Sequence, residues 1–472
     1  MSSKVLASLS AYAERIALET PELLLTYREL SRAIEQAKEL LHGATIAAVM
    51  MENSPAWIII DLACIAAGIP LLPLPSFFSE KQVRHALADA GVDTVFTDQP
   101  ERFGGGCEKI YVAGRNYYRI RLENAPKTLP AHVAKITYTS GTTDTPKGVC
   151  LTQAAMETVA TSLLSAIKAP PQARHICLLP LGILLENVAG VYVGLLAGAT
   201  ICLPPVIHEP LALYNAINDA HATSCILVPE LLRMLLAVGK PLPTLSYAAV
   251  GGAKVSPKLL QSALFKGIPV YEGYGLTEAS SVVAVNTPDA YKIGSVGKIL
   301  PHIQMHCDGD GELFIRRPLF SGYLGDTEPR QEWYATGDIG RINDDGFLYI
   351  EGRRKNIYIT SFGRNVSPEW IESLLTAYPA IAQAVVYGEE KPYSTAIIVS
   401  PQPQAIPAAI AQINQELPDY AQIGAHVLAH ESFSIANGQL TGTSRPRREA
   451  IYEAYAHSID DCYSLGQPYE FL

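Results

Sequence analysis

The sequence has few charged residues, and acidic residues outnumber basic ones. Only 17 % of its 472 residues are charged and 48 % are hydrophobic, a balance that excludes intrinsic disorder and indicates a globular protein. The 36 Lys and Arg stand against 46 Asp and Glu, a net charge of −10. A chain of this sign lacks the overall basic surface that a nucleic-acid scaffold needs, so we expect no nucleic-acid partner. The length alone predicts about three structural units.

Cysteine is also sparse and carries no recognisable pattern. The eight cysteines include no CxxC pair and no neighbouring histidine cluster. This spacing predicts neither a disulfide framework nor a zinc site nor an obvious nucleophile, and we expect free, mostly buried thiols in a reducing cytoplasm. The first residues, MSSKVLASLSAYAER, contain no clean apolar segment before Glu14 and Arg15, so we expect no secretory signal.

Long uninterrupted hydrophobic runs are missing too. Residues 57–75 are broken by Asp61 and three prolines, and residues 188–203 are uncharged but short and contain glycine. A membrane helix needs about 20 consecutive apolar residues. We therefore expect no membrane span and assign both stretches to the interior of a large core.

Helical patterns alternate with short apolar runs as far as about residue 350. Residues 26–41 have the spacing of an amphipathic helix. Strand-like runs follow at 45–51, 94–98, 176–180, 224–229 and 248–252. Continuous apolar runs separated by helices predict parallel strands covered on both faces. From Gly294 a glycine-punctuated alternation predicts antiparallel hairpins.

The sequence divides into two unequal parts. After residue 353, short β-rich runs and helical patterns indicate a compact α+β unit. The predicted fold class is α/β, with a large N-terminal body of layered β-sheets and helices over residues 1–352 and a small C-terminal α+β domain over residues 353–472. We see no internal repeats and no low-complexity tracts.

The most distinctive segment is YTSGTTDTPKGV, residues 138–149, which directly follows a strand-like run. It presents five small residues and then a lysine: Thr139, Ser140, Gly141, Thr142, Thr143 and Lys147. Small donors on a flexible backbone can surround anionic oxygens, and a lysine supplies a matching charge. A Walker A loop needs GK followed by Ser or Thr, whereas Lys147 is followed by Gly148, which disfavours P-loop kinases and GTPases. Composition alone would favour a surface linker.

The order of residues in this loop resembles the signature loop of the adenylate-forming superfamily, which contains acyl-CoA synthetases, peptide-synthetase adenylation domains and firefly luciferases. Further blocks resemble the family's motifs in the same order: LTYREL (25–30), LPLGILLENVAG (179–190), VGGAKVSPKLL (250–260), YEGYGLTEAS (271–280), YATGDIG (334–340), GRRKNIYITSFGRNVSPEWIE (352–372) and NGQLTGTSRPRR (437–448). The resemblance covers nearly the whole chain. It implies a large body and a mobile C-terminal lid, in agreement with the division above.

The resemblance implies an enzyme that binds ATP and Mg²⁺, forms acyl-AMP and releases pyrophosphate, and then transfers the acyl group to a thiol. The residues implied to bind the β- and γ-phosphates are Thr139, Ser140, Gly141, Thr142, Thr143 and Lys147. Those implied for the rest of the nucleotide and the metal are Gly252 and Ala253 as cofactor-binding residues, Tyr274 stacked on adenine beside Gly275, Thr277 at the α-phosphate, Glu278 at Mg²⁺, and Asp338 and Arg353 at the ribose. Outside this context, Tyr274 is typical of a hairpin core, and Asp338 and Arg353 of a turn or a surface ion pair.

The C-terminal motif departs from the family at one position. Where the family has a catalytic lysine between carboxylate and α-phosphate, this chain has Arg445, which keeps the charge but presents a wider planar fork. We expect slow adenylation or a relaxed pocket, with Lys147, Thr277, Glu278 and Arg445 as the catalytic set. By the same resemblance Lys355 is the hinge residue, although a charged residue is also typical of any linker.

The acid and its acceptor are less narrowly defined. No acidic residue stands where peptide-synthetase domains hold the substrate amine, which disfavours an α-amino acid. We place Ile183, Gly251 and Gly252 in the acid pocket, because the surroundings of Ile183 are apolar and glycines let a chain pass close to backbone. A medium-to-long aliphatic or polyunsaturated acid is preferred, with an aryl acid next. The acceptor is CoA or the phosphopantetheine of an acyl carrier protein.

Two other functions stay open. Loss of the lysine is compatible with a non-turnover, adenylate-binding pseudo-enzyme, and some relatives adenylate a β-hydroxy acid and close a β-lactone without any thiol. The expected ATP-side residues are all present, which favours turnover: Lys147, Tyr274, Thr277, Glu278, Asp338 and Arg353.

Overall fold

The computed structural model describes residues 3–103, 106–125, 127–139, 147–170, 172–207, 209–316, 320–326, 331–441 and 445–464. Its helices are α1 (Lys4–Ala11), α2 (Tyr27–Lys38), α3 (Pro55–Ala67), α4 (Glu80–Ala90), α5 (Gln153–Ile167), α6 (Val193–Ala197), α7 (Pro210–Asp219), α8 (Pro229–Val238), α9 (Pro257–Phe265), α10 (Pro368–Leu375), α11 (Ile406–Asn414) and α12 (Arg448–Ser464). A π-helix covers Leu185–Tyr192, and 3₁₀ turns cover Glu39–Leu41, Pro100–Arg102, Thr277–Ala279, Pro403–Ala405 and Asp419–Ala421.

Most strands belong to two large sheets. The strands up to residue 299 are β1 (Ile16–Glu19), β2 (Leu24–Thr26), β3 (Ala47–Met50), β4 (Leu71–Pro73), β5 (Thr94–Thr97), β6 (Cys107–Val112), β7 (Arg115–Arg121), β8 (Val133–Thr139), β9 (Lys147–Thr152), β10 (Arg174–Ile176), β11 (Thr200–Cys202), β12 (Ser224–Leu227), β13 (Tyr247–Val250), β14 (Val270–Leu276), β15 (Ser281–Val285) and β16 (Lys298–Ile299). One sheet has the order β16-β15-β14-β13-β12-β10-β11-β1-β2, and the other β6-β7-β5-β3-β4-β8-β9.

The remaining strands form three smaller sheets. They are β17 (Met305–Cys307), β18 (Glu312–Arg316), β19 (Trp333–Ile342), β20 (Leu348–Arg353), β21 (Tyr358–Ile359), β22 (Asn365–Val366), β23 (Gln383–Tyr387), β24 (Ser394–Val399) and β25 (Ile423–Leu428). Strands β17 to β20 make an antiparallel sheet in chain order, as the glycine-punctuated pattern predicts. The other two sheets are β21-β22 and β23-β24-β25.

The central strands of both large sheets are parallel. Strands β1, β11, β10, β12, β13 and β14 pair in parallel, and so do β5, β3, β4 and β8. Helix α3, between Ser54 at its N-cap and a left-handed Gly68 at its C-cap, is buried along most of its length, as its continuous apolar sequence requires. The α/β fold class is therefore confirmed.

The core extends through the space between the two sheets. The largest apolar cluster joins α2 and α3 to the π-helix and to β15. Two further clusters are formed wholly by residues from Tyr358 onward. The division at residues 352 and 353 stays a prediction, and these separate clusters are compatible with it.

Two predictions from single segments can be compared directly. The helix expected over residues 26–41 is α2 and the following 3₁₀ turn, started by a capping box between Thr26 and Glu29. The strand expected over residues 176–180 is displaced: β10 ends at Ile176, and the Leu179 N–H donates to the Glu186 carboxylate instead of to a neighbouring strand.

The cysteines and the apolar stretches also have clear positions. All eight cysteines lie in described residues and outside any disulfide, and five of them are buried. Residues 57–75 form α3 and β4, whereas residues 188–203 contribute to the π-helix, α6 and β11. Within the ranges that the structure describes, no helix is long and apolar enough to cross a bilayer.

Candidate active site

A buried carboxylate lies at the centre of the expected ribose site. Asp338, on β19, is 4 % exposed and faces Arg353 of β20, with 2.9 Å between Oδ1 and Nε. The hydroxyl of Tyr274, on β14, donates to Oδ2 at 2.5 Å. Burial raises the pKa of Asp338, and the Arg353 charge and the Tyr274 hydrogen bond oppose that rise. These three expected nucleotide-binding residues are therefore in direct contact.

Glycines allow the strands around Tyr274 to approach closely. A Cβ on Gly275 would lie 2.1 Å from the carbonyl oxygen of Ser281, and one on Gly251 would lie 3.0 Å from the carbonyl oxygen of Gly273. Gly252 has φ +83°, in the left-handed region. The expected role of Gly251 and Gly252 at the acid is untested, but protein backbone already requires a small residue at 251.

A second group of side chains surrounds Glu278. The Tyr323 hydroxyl donates to Glu278 Oε1 at 2.8 Å and lies 2.8 Å from the Tyr334 hydroxyl. The Lys147 Nζ lies 5.4 Å from the centre of the Tyr323 ring. Burial, with the Glu278 charge next, raises the pKa of Tyr334 to about 12, so the phenol stays protonated at neutral pH. Lys147, expected at the β- and γ-phosphates, and Glu278, expected at Mg²⁺, thus share one aromatic neighbour.

Sequence reasoning missed Tyr323. The segment that carries it pairs with β9: the Leu324 N–H donates to the Gly148 carbonyl at 2.7 Å, and the Cys150 N–H donates to the Gly322 carbonyl at 2.9 Å. This pairing places the tyrosine over Lys147. Tyr323 belongs to none of the family motifs found in the sequence. A contact made through such a long-range pairing leaves no pattern in the local sequence.

Thr277 and Glu278 belong to a short turn that ends in an unusual backbone conformation. Thr277 begins a 3₁₀ turn, and its carbonyl accepts the Ser280 N–H at 2.9 Å. Ser280 and Ser281 have φ values of 59° and 125°, which L-residues other than glycine rarely adopt. Such strain is concentrated at functional sites.

Arg445 brings the C-terminal part of the chain to this site. Its Nε donates to the Gly252 carbonyl at 2.8 Å, although the residue as a whole is exposed. Its charge also acts on Asp338, where it helps to hold the pKa down. Lys258, on α9, makes a second link by donating to the Tyr378 hydroxyl at 3.2 Å and pairing with Glu416. The expected catalytic arginine therefore reaches the loop that carries the expected cofactor-binding residues Gly252 and Ala253.

Lys355 follows Arg353 by two positions in the chain. It is exposed in the turn after β20, where the Asn356 and Ile357 N–H groups donate to the Arg353 carbonyl at 2.9 and 3.0 Å. Partial desolvation of its ammonium group by neighbouring atoms, with the Arg353 charge next, lowers the pKa of Lys355. Its role as a hinge stays a prediction.

Some of the remaining expected site residues are described by the structure, and the others lie outside the described residues. Ile183 is half-buried, and its carbonyl accepts the Asn187 N–H at 3.1 Å at the start of the π-helix. Ala253 follows Gly252 in the loop that Arg445 reaches. Thr139 is the last residue of β8 and pairs with Lys147 through its backbone. The other expected phosphate-loop residues, Ser140, Gly141, Thr142 and Thr143, lie outside the described residues.

One buried group resembles a metal site. Ligand atoms of His175, Cys177 and Glu186 lie within 4.8 Å of one another. The sequence pattern did not predict this grouping, because Glu186 comes from the π-helix and the other two from the end of β10. The His175 Nε2 and Glu186 Oε1 are already hydrogen-bonded at 2.8 Å, and burial raises the pKa of the Cys177 thiol well above its usual value. A protonated thiol is a poor metal ligand.

Comparison with known proteins agrees with this architecture. The sequence matches the family described as AMP-binding enzyme over residues 7–324, and the family described as AMP-binding enzyme C-terminal domain over residues 355–467. The chain belongs to the AMP-binding enzyme family, and its assignment to the adenylate-forming superfamily is confirmed.

Individual relatives span most of the chain. The long-chain-fatty-acid–CoA ligase FadD15 of Mycobacterium bovis is 28 % identical, over 86 % of this chain and 86 % of its own length. The 2-succinylbenzoate–CoA ligase of Bacillus velezensis is 29 % identical, over 80 % and 83 %. The o-succinylbenzoate CoA synthetase MenE of Bacillus subtilis, in complex with the acyl-adenylate OSB-AMP, has the same fold, with a TM-score of 0.80 at 23 % identity over 95 % and 98 % of the two chains.

Proposed function

We propose that this chain activates a carboxylic acid with ATP and then joins the acyl group to the thiol of CoA. A carboxylate oxygen attacks the α-phosphorus, the bond to pyrophosphate breaks, and the thiol later displaces AMP from the acyl carbon. The observation that carries the proposal is the contact of Arg445 with the Gly252 carbonyl beside Asp338. It brings a cation from the C-terminal part to the place where the nucleotide and the acid are expected to meet.

The charges around the site suit this reaction. A carboxylate and a triphosphate repel each other, so a site that joins them needs fixed cations and hydrogen-bond donors. Lys147, Arg353 and Arg445 supply the cations from β9, β20 and the C-terminal segment. Arg353 is held by Asp338, so its charge is positioned before any ligand arrives.

The residues present fit a nucleotide with Mg²⁺. The Asp338 carboxylate has acceptor capacity for ribose hydroxyls beyond the two donors that it already engages. Glu278 offers a carboxylate of the kind that Mg²⁺ prefers, and Tyr323 orients it. The metal, when bound, would neutralise phosphate charge.

An apolar acid is supported by the pocket region and by one of the two relatives, the fatty-acid ligase. Leu184 and Val188, which follow Ile183, belong to the main apolar cluster. The relatives are named as CoA ligases of a long-chain fatty acid and of 2-succinylbenzoate. We propose a medium-to-long aliphatic acid, with an aryl acid as the second choice.

The acceptor follows from the same relatives. Because both are named as CoA ligases, CoA is the proposed thiol, and the phosphopantetheine of an acyl carrier protein is the alternative. A β-lactone-forming enzyme would adenylate an acid but need no thiol. A pseudo-enzyme would bind ATP or AMP without turnover.

Acid-dependent exchange of pyrophosphate into ATP tests the proposal. We expect exchange with at least one acid from a panel of aliphatic acids of different length, aryl acids and β-hydroxy acids. Addition of CoA, or of a carrier protein with its phosphopantetheine, should then give a thioester detectable by mass spectrometry. Tight ATP binding with no exchange for any acid would support the pseudo-enzyme. Exchange without a thioester for either acceptor would support the lactone-forming alternative.

A further inference from the structure

The π-helix Leu185–Tyr192 occupies a special place in the fold. It begins two residues after Ile183 and packs against β15, with Val282 and Val285 in the same apolar cluster. Strand β15 pairs with β14, which carries Tyr274. A π-helix is rare and is frequently found at functional sites. This one connects the expected acid pocket with the strand pair of the nucleotide site.

Glu186 ties the π-helix to the nine-stranded sheet. The residue is fully buried; its Oε1 lies 2.8 Å from His175 Nε2, and its Oε2 accepts the Leu179 N–H at 3.0 Å. The other ring nitrogen of His175 lies 3.0 Å from the Ser224 hydroxyl on β12. Gly190 leaves room for this carboxylate, because a Cβ there would lie 2.4 Å from Oε1. The carboxylate is thus held through both of its oxygens.

The next residue ties the same helix to the seven-stranded sheet. The Asn187 amide donates to Asp61 Oδ2 at 3.0 Å and accepts from the Lys135 ammonium, which lies 2.8 Å from Asp61 Oδ1. The Tyr192 hydroxyl donates to Asp61 Oδ2 at 2.9 Å. Burial raises the pKa of Tyr192 well above its usual value, so its hydroxyl keeps the proton that it donates. Lys135 is on β8, the strand that leads into the phosphate loop.

These contacts fix the orientation of the π-helix more than they stabilise the folded protein. A buried ion pair costs desolvation, and an apolar pair of the same size is often at least as stable. The Lys135 and Asp61 side chains are only 1 % and 2 % exposed, so the cost here is high. The consecutive residues Glu186 and Asn187 engage different sheets, which defines both the rotation of the helix and its position along its axis.

We propose that Glu186, Asn187 and Tyr192 are positioning residues that hold the π-helix and, through it, the wall of the acid pocket, and thereby set which acid is accepted. The Asn187 N–H, bonded to the Ile183 carbonyl, is the direct connection to that wall. The inference rests on the proposed function, because it needs an acid to bind beside Ile183. The residues act through the helix and need not touch the acid.

The test uses Glu186→Gln and Tyr192→Phe, which keep nearly the same side-chain volume. Initial rates of pyrophosphate exchange are measured for a series of acids of increasing chain length, with saturating ATP. We expect kcat/KM for the preferred acid to fall about 10-fold relative to shorter and longer acids, because a displaced wall loses fit to one length. The KM for ATP should change by less than about twofold, since the nucleotide contacts are untouched.

A matched control separates positioning from simple destabilisation. Glu372→Gln weakens the buried pair of Glu372 with Arg448, which lies in the C-terminal part of the chain. We expect it to lower the melting temperature without altering the order of preference among the acids. If either test variant fails to fold, Ser224→Ala removes only the hydroxyl beside His175 and is measured in the same way.

The outcomes are distinct. Variants that melt earlier but keep the wild-type chain-length profile, as the control does, would overturn the inference and leave the proposed function intact. A wild-type protein that exchanges pyrophosphate with no acid would overturn both. A changed acid profile with an unchanged KM for ATP supports the positioning role.

Discussion

The carboxylate of Asp338 lies opposite the guanidinium of Arg353 across β19 and β20, with 2.9 Å between Oδ1 and Nε. The register of the antiparallel strands β19 and β20 places these two residues opposite each other. The Tyr274 hydroxyl, from a different sheet, donates to the same carboxylate. The site is therefore assembled where the nine-stranded sheet meets the antiparallel sheet of β17 to β20. Arg445 then reaches the same place from the C-terminal part.

Replacing Asp338 tests the expected ribose site. Asp338→Asn keeps the size of the side chain but removes the charge that holds Arg353. We expect the KM for ATP to rise about 10-fold or more, because charge-assisted hydrogen bonds are worth roughly 1.5–3 kcal/mol each. Exchange rates at varied ATP check this, with Asp310→Asn, at an exposed turn, as the control. An unchanged KM for ATP would place the nucleotide elsewhere.

By the family resemblance, Arg445 stands where a catalytic lysine is expected. Arg445→Lys restores a compact ammonium, and we expect a faster pyrophosphate exchange with the preferred acid. Arg445→Met removes the charge and should slow exchange by about 100-fold, the usual cost of losing one stabilising group in such a site. A lysine variant that folds but is no faster would show that the arginine is the working residue.

The close approach of β14 and β15 predicts a strong effect at Gly275. Gly275→Ala would place a Cβ 2.1 Å from the Ser281 carbonyl oxygen, so the pair must separate. We expect a loss of more than about 3 kcal/mol in the free energy of unfolding. Gly309→Ala is the control, because nothing lies within 4 Å of its Cβ. Chemical denaturation measures both; equal stabilities would contradict the strand geometry.

Much of the architecture could be predicted from local sequence. The apolar runs around residues 47–50 and 94–97 became parallel strands of one sheet, and Thr26 with Glu29 correctly indicated a helix start. Family motifs also indicated Tyr274, Asp338 and Arg353, which prove to be in contact. Their individual roles with ligands stay predictions.

What could not be predicted depends on contacts between distant segments. Tyr323 reaches Glu278 only because residues 321–324 pair with β9. Lys135 and Asp61 are 74 positions apart and looked like ordinary members of a strand and a helix. The π-helix leaves no signal in hydrophobic periodicity, because it differs from an α-helix only over two turns. Long-range pairing, not local propensity, determines these features.

Glu272 gives the protein a pH dependence that stability measurements can detect. Burial raises its pKa from 4.5 to about 8, against the Val255 N–H and the Lys254 charge, which lower it. Between these values the folded protein holds a proton that the unfolded chain has released. The stabilising contribution is therefore complete below pH 4.5 and declines by up to about 1.4 kcal/mol per pH unit until about pH 8.

The variant Glu272→Gln lacks this proton at every pH. We expect its free energy of unfolding to fall less steeply than that of the wild type between pH 5 and pH 8, as about one fewer proton is released. Urea denaturation at each pH measures the two slopes. Parallel slopes would mean that the carboxyl of Glu272 is ionised in the folded protein at neutral pH.

Tyr323 tests the expected metal site. Tyr323→Phe removes the hydroxyl that donates to Glu278, and we expect the Mg²⁺ concentration for half-maximal exchange to rise about 10-fold, the usual cost of removing a partner that orients a metal ligand. Tyr111→Phe, at an exposed residue of β6, is the matched control. A Mg²⁺ requirement equal to that of the wild type would contradict the assignment of Glu278 as a metal ligand oriented by Tyr323.

The most direct test of carboxylate activation follows one oxygen atom. An acid labelled with oxygen-18 in its carboxylate is incubated with ATP, Mg²⁺, CoA and the protein, and the AMP is analysed by mass spectrometry. Attack of the carboxylate on the α-phosphorus predicts one labelled oxygen in the AMP, together with the thioester. Unlabelled AMP, or no AMP with any acid that binds, would contradict the proposed reaction.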